Sequence, residues 1–187
     1  MDRFWDKRYL IFEKFDEGIS LDDESWRNVT PEAVAEYISN KIRCETVLDG
    51  FCGAGGDSIK LANTCSRVIA NDINSKKLQC LNNNAKVYCA ENIEMMNQDF
   101  LELENIEPDI VYINPSTVAS DPLYERNCLD NSCFTPSMDK IISKAIKLSK
   151  NIVFLLPSNL NVTEFAKCLA NEYLRQKIPS STCSIKI

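Results

Sequence analysis

From residue 46 onward, short apolar runs alternate with segments in which apolar residues recur every three or four positions. Strands and helices in alternation predict a parallel sheet covered on both faces. Thr46-Val47-Leu48-Asp49 is the first expected strand, Arg67 to Asp72 the second, and Glu94 to Gln98 a third and weaker one. Asp109 to Ile113 and Asn151 to Leu156 complete the set. Helices are expected from about Asp57 to Asn63, then after a cap at Ser75 with Leu78, Leu81, Ala85 and Tyr88 on one face. Another should carry Met138, Ile141, Ile142, Ala145 and Ile146. The tail reads as a helix near 162–170 followed by two short strand candidates, 173–178 and 182–187, able to form an antiparallel edge pair. Residues 1–43 differ: Phe4, Trp5, Tyr9, Leu10, Phe12 and Phe15 lie in a charged, helical background that breaks at Glu17-Gly18. A second helix is expected with Thr30 as N-cap and Pro31 at its first position, running through Val34, Ile38 and Ile42. The expected fold is therefore α/β: a doubly wound, mostly parallel sheet formed by residues 44–187, with a helical extension formed by residues 1–43.

A length of 187 residues suits one hydrophobic core, and 44% hydrophobic with 26% charged residues is ordinary globular usage. No apolar run of about 18 residues is present to span a membrane, and no apolar stretch follows Met1 to serve as a secretory signal. These points favour an intracellular setting, nuclear or cytoplasmic. The nine cysteines form no CxxC pair and the chain has no histidine, so no metal site is expected and the cysteines read as reduced, mostly buried thiols. Lack of histidine also removes the commonest general base at neutral pH and any Ser-His or Cys-His nucleophile pair. Chemistry that needs little proton transfer is favoured. A net charge of −6 leaves no broad basic face for a long nucleic-acid tract, although a short or local one is allowed.

In an open α/β sheet, ligands bind beyond the carboxyl ends of the strands. The first strand ends in Asp49-Gly50-Phe51-Cys52-Gly53-Ala54-Gly55-Gly56, a loop whose glycines permit close backbone approach to a ligand. The second ends in Asp72, whose carboxylate suits two ribose hydroxyls, and the third runs into Asp99-Phe100, which could meet an adenine amine and ring. Each feature alone has a plain structural reading: a tight turn, a solvated aspartate, a core phenylalanine. Together and in this order they favour S-adenosylmethionine over NAD, because a pyrophosphate loop is normally spaced G-x-G-x-x-G. The fourth strand ends in Asn114-Pro115-Ser116-Thr117, where an asparagine oxygen and a neighbouring backbone carbonyl can hold an amine with its lone pair facing a methyl donor. Asn-Pro also opens ordinary turns. Since a sulfonium is already activated, such a site needs positioning more than acid–base power.

These residues resemble the trimethylguanosine synthases, class I methyltransferases that add methyl groups to the N2 amine of a 7-methylguanosine RNA cap. The resemblance rests on Arg3 to Tyr9, Phe15 to Ile19, Leu21-Asp22 to Trp26 and Val29 to Glu32 in the extension. In the core it rests on Asp49 to Gly56, Asn71-Asp72-Ile73, Gln98-Asp99-Phe100 and Asn151 to Pro157. It implies a Rossmann-like class I methyltransferase fold and S-adenosylmethionine held by Thr30, Asp49, Phe51, Gly53, Gly55, Asp72, Ile73, Asp99, Phe100 and Asn114. Asn114 and Pro115 would be the catalytic pair, and Asn114, Thr117, Tyr124 and Ser158 the substrate-binding set. Family members carry Ser-Pro-Pro-Trp in place of Asn114-Pro115-Ser116-Thr117, a lysine at Ser20 and an arginine at Ser158. A cation–π stack is worth roughly 0.5 to 2 kcal/mol and a charge-assisted contact about 1.5 to 3 kcal/mol, so capped RNA is the expected partner but with weakened binding. Tyr124, Phe134 and Trp26 are candidate substitute aromatics, and Arg126 and Lys140 candidate substitute cations. Two alternatives stay open: another acceptor, such as a nucleobase or protein amide nitrogen, or a binding module that has lost catalysis and joins a protein partner.

Overall fold

The computed structural model describes residues 5–116, 134–158 and 160–176. Five strands lie in one sheet in the order β3-β2-β1-β4-β5. They are β1 Thr46–Asp49, β2 Arg67–Asn71, β3 Ile93–Met96, β4 Ile110–Ile113 and β5 Ile152–Phe154, and every pairing is parallel. The chain winds outward from β1 through β2 to β3, then returns to place β4 on the other side of β1. That reversal opens a crevice beyond the carboxyl ends of β1 and β4.

Alternation along the strands explains the two layers of helices. Leu48, Ile69, Val111 and Ile113 point to one face, where they meet α6 (Met138–Leu148) and α7 (Val162–Arg175) through Met138, Ile141, Ile142, Ala145 and Leu169. Val47, Val68 and Tyr112 point to the other, against Ile42, Leu61 and Cys65. On that second face stand α4 (Gly56–Ala62) and α5 (Ser75–Val87), whose Ile59, Leu78, Leu81 and Ala85 pack with Ala70. Asp49 falls in register with Ala70 and Tyr112, so this carboxylate belongs to the second face and is fully buried.

The amino-terminal arm is less regular than the hydrophobic pattern suggests. It comprises α1 (Arg8–Ile11), a 3-10 turn (Phe15–Glu17), α2 (Ser25–Asn28) and α3 (Glu32–Ser39). Ile11 and Phe12 are buried against Leu78, Leu81 and Ala85, a burial worth roughly 1.5 to 3 kcal/mol per side chain. Asn84, fully buried in α5, ties the arm to the core: it accepts from the Ser20 backbone N–H at 2.8 Å and donates to the carbonyls of Ser20 and Ala54, both at 2.9 Å. A second tie joins Glu32 to Lys60 Nζ at 2.5 Å and to the Tyr88 hydroxyl at 2.8 Å.

Three expectations are corrected here. Thr30 does not cap α3, whose N-cap is Pro31 without a side-chain bond, because the Thr30 hydroxyl is spent on Asp57 instead. The cap of α5 is Asn74, one residue earlier than expected, and its side chain accepts from Lys76 N–H. Tyr173 to Arg175 form the last turn of α7 and not an edge strand. The buried face of α7 continues from Leu169 to Glu172, and an ion pair from Arg175 to Glu172 one turn apart favours helix. The remainder of that strand pair, 177–187, lies outside the described residues. Among the described cysteines, Cys52 and Cys65 are buried and free, and the Cys44 thiol donates to Cys65 Sγ across 3.5 Å. Among the described residues no helix is long and apolar enough to cross a membrane.

Candidate active site at the β1 and β4 carboxyl ends

The glycine loop leaves β1 and turns into the amino end of α4, folded tightly against its surroundings. At Gly56 a Cβ would stand 2.7 Å from Val29 Cγ2 and 3.4 Å from the Thr30 carbonyl oxygen, so the arm crosses directly above the loop. Val29, Thr30, Phe51, Gly53, Asp57 and Asn114 line the cavity that remains, together with Lys77. Its volume is about 30 Å³.

Carboxylates dominate this crevice. Asp49 is fully buried; Ser58 Oγ donates to its Oδ2 at 2.6 Å, while its Oδ1 has no hydrogen-bond partner. Burial first, and the neighbouring Asp57 charge second, push the Asp49 carboxyl up to about 8. Asp57, nearly buried, is raised by burial as well, although bonds from Asn114 and Thr30 pull the other way. Asp57 Oδ2 accepts from Thr30 Oγ1 at 2.8 Å and from Asn114 Nδ2 at 2.8 Å, and Asn114 Nδ2 also donates to Thr30 Oγ1 at 3.0 Å. Asp72 Oδ2 accepts from Gly53 N–H at 2.9 Å, and its Oδ1 from Asn74 N–H at 2.8 Å. Both oxygens keep a further lone pair for a ligand hydroxyl. The one cation lining the cavity among the described residues, Lys77, is paired with Glu24 at 2.9 Å.

The shift of Asp49 predicts a pH-dependent fold. A carboxyl raised from 3.8 to about 8 keeps its proton in the folded state at pH values where the unfolded chain has released it. Stability therefore falls as pH rises across that window and levels off above it. Urea unfolding without ligand should give a higher midpoint at about pH 6 than at about pH 8.5. Asp49→Asn should flatten the difference; an equal slope in the variant would assign it to other groups.

Of the residues singled out in the sequence, Thr30, Phe51, Gly53 and Asn114 line the cavity, Asp72 joins it through Gly53 N–H, and Asp49, Gly55 and Pro115 are buried beside it without lining it. Phe51 is half-buried and faces the cavity. Asp99 caps the 3-10 turn Phe100–Glu102 by accepting from Leu101 N–H at 2.9 Å, and Ile73 is 71% exposed. Phe100 lies in the core under the loop: it is 2% exposed, 5.0 Å from the Phe51 ring, and a Cβ on Gly50 would stand 2.8 Å from its Cε2. Ser158 and Ser20 are exposed, whereas Thr117, Tyr124 and Arg126 lie outside the described residues. Phe134 is buried with Met138 and Ile141, which places its ring in the interior, and Trp26, half-buried, packs on Phe15 at 5.2 Å. Lys140 lines a separate groove between α6 and α7 with Lys144 and Arg175. Sequence reasoning missed Asp57 as a site residue and Asn84 as the tie between arm and loop. Asp57 carried one available signal, a carboxylate in the first turn of the helix after the glycine loop.

A model of the RNA cap guanine-N2 methyltransferase family matches residues 44–183. The trimethylguanosine synthase of Schizosaccharomyces pombe is 29% identical over 182 residues, an alignment that takes in 89% of this chain and 74% of that protein. For the trimethylguanosine synthase of Saccharomyces cerevisiae the identity is 27% over 181 residues, with 88% of this chain and 57% of that protein covered. Among solved structures, a precorrin-6y C5,15-methyltransferase from Geobacter metallireducens superposes with a TM-score of 0.57 at 18% identity, covering 84% of this chain and 78% of that one. That last likeness concerns the fold alone.

Proposed function

The chain belongs to the RNA cap guanine-N2 methyltransferase family, and from that membership we propose that it transfers a methyl group from S-adenosylmethionine to the N2 amine of a 7-methylguanosine RNA cap. The family match carries this reading, since residues 44–183 include every strand of the sheet and both strand ends that form the crevice. It also favours the cap over another acceptor or a catalytically silent module.

The electrostatics of the crevice suit this donor. Asp49 and Asp72 bring two carboxylates together, and Asp49 Oδ1 is buried without a partner. A ligand bearing an ammonium and a sulfonium would relieve that surplus, whereas a pyrophosphate would add to it. S-adenosylmethionine supplies a methyl group already activated by its sulfonium. Asp72 would accept from the ribose hydroxyls and Asp49 would face the methionine ammonium. Gly53, Gly55, Phe51 and Thr30 would border the methionine portion, and Asp99 and Ile73 the adenine side. Phe100 supports this wall from beneath, through Phe51. Asn114 Oδ1 and the backbone at Pro115 would then orient the amine for direct transfer.

The test is transfer of labelled methyl from S-adenosylmethionine to 7-methylguanosine diphosphate or to guanosine diphosphate. Label is expected in the 7-methylated compound and at least tenfold less in the other, a ratio worth about 1.4 kcal/mol of discrimination. Equal labelling of the two would refute recognition of the methylated base.

A further inference from the structure

We infer that Asp57, with Thr30, is the positioning residue of the acceptor site: it fixes which end of the Asn114 amide faces the amine. The inference rests on the reading of Asn114 as the group that meets the acceptor, and it names a device that reading does not contain.

With Asp57 ionised, donors and acceptors match in one arrangement. An ionised carboxylate only accepts hydrogen bonds, so the atom that Asn114 turns toward Asp57 Oδ2, at 2.8 Å, must be Nδ2. The hydroxyl hydrogen of Thr30 is already given to the same Oδ2 at 2.8 Å, so toward Asn114 its oxygen can only accept, at 3.0 Å. Nδ2 is thereby turned to the wall of the crevice, toward two acceptors that lie side by side. By the planar geometry of the amide, Oδ1 is turned to the other side and is left to accept from a substrate N–H. Without these partners the amide could rotate by half a turn at small cost, presenting N–H to N–H and turning the amine away. The three residues come from three separate elements: the arm, the first turn of α4 and the loop after β4. Thr30 and Asp57 are buried and Asn114 half-buried, which keeps water from competing for the bonds. The arm is thus a working part of the acceptor site, and drawing it aside would release the amide.

The test uses the full chain with Asp57→Leu, which removes the acceptor, Asp57→Asn, which can restore one accepting oxygen, and the pair Thr30→Val and Thr30→Ser. Asp57→Leu should lower kcat about tenfold or more at saturating cap analogue, the scale of a misplaced near-attack geometry, while the affinity for S-adenosylhomocysteine stays within about threefold. Asp57→Asn should recover most of the loss, and Thr30→Ser should exceed Thr30→Val in kcat. A readout independent of turnover is the side-chain amide of Asn114 in a ¹⁵N–¹H spectrum, assigned by its disappearance in Asn114→Asp. In the unmodified chain the amide should be shifted downfield, and both Asp57→Leu and Thr30→Val should move it upfield. The inference is overturned by an Asn114 amide signal that ignores both substitutions, or by kcat unchanged in a folded Asp57→Leu protein. It is overturned equally if cofactor affinity and kcat fall in parallel and Asp57→Asn rescues neither. Should the unmodified chain transfer no methyl at all, the cap reading fails on its own, and the amide spectrum still decides the role of Asp57.

Discussion

Replacing Asn114 by alanine is expected to lower methyl transfer about 100-fold or more while leaving the sheet intact. The side chain lies where the fourth strand meets the crevice, with Nδ2 committed to Asp57 and Thr30 and Oδ1 turned away from them. Truncation removes the oxygen that would accept from the amine, and a reacting group misplaced by about 1 Å costs a factor of that size. It also removes the Nδ2 donor to Asp57 and Thr30, which costs roughly 1 to 3 kcal/mol of stability. The rate loss should therefore come with a lower unfolding midpoint, and both are measurable on one preparation. Turnover unaffected by the substitution would remove Asn114 from the acceptor site.

The largest effect on the fold is expected at Gly55. Its φ is +94°, a backbone region that side chains rarely adopt, and a Cβ would stand 2.1 Å from Leu81 Cδ1 in the buried face of α5. Left-handed strain of about 1 to 2 kcal/mol adds to overpacking of about 1 to 3 kcal/mol, so Gly55→Ala should cost about 3 kcal/mol. Gly53, with φ +53° and nothing within 4 Å of its would-be Cβ, supplies the control: alanine there should cost only the backbone strain, about 1 kcal/mol. Urea unfolding of the two variants separates the contributions. Equal losses would mean that the Leu81 contact is relieved by rotation of that side chain.

The difference between these two glycines shows where sequence reading stops. Both belong to a loop that is visible in the sequence as glycines following an apolar run that ends in Asp49. That Gly55 sits over Leu81 depends on the docking of α5, a contact between residues far apart in the chain. The same holds for Thr30, where threonine before proline and glutamate is a sound local signal for a helix cap. A buried carboxylate arriving from α4 outbid the local bond. Strands β1, β2 and β4 were legible because continuous apolar runs ending in Asp49, Asp72 and Asn114 suit strands covered on both faces. Phe100 was ambiguous in principle, since a ring at a strand end can pack inward or face a ligand, and here it packs on Phe51 and Gly50. Tyr173 was misjudged because an aromatic residue near the end of the chain suits a strand by composition alone, while the buried face shared by Leu169 and Glu172 carries α7 past it. Asp57 and Asn84 were missed for a common reason: a polar residue on a helix gives no sign in the sequence of the backbone or amide it will meet.

Methyl transfer to a 7-methylguanosine cap analogue, set beside its 7-methylinosine counterpart, tests the central claim most directly. The two differ only in the exocyclic N2 amine, so stacking, charge and phosphates are held constant. Label should enter the guanosine compound, at N2, and be absent from the inosine compound. Equal labelling of both, or labelling of neither under conditions where S-adenosylmethionine binds, would contradict assignment of this crevice to N2 methylation of the cap.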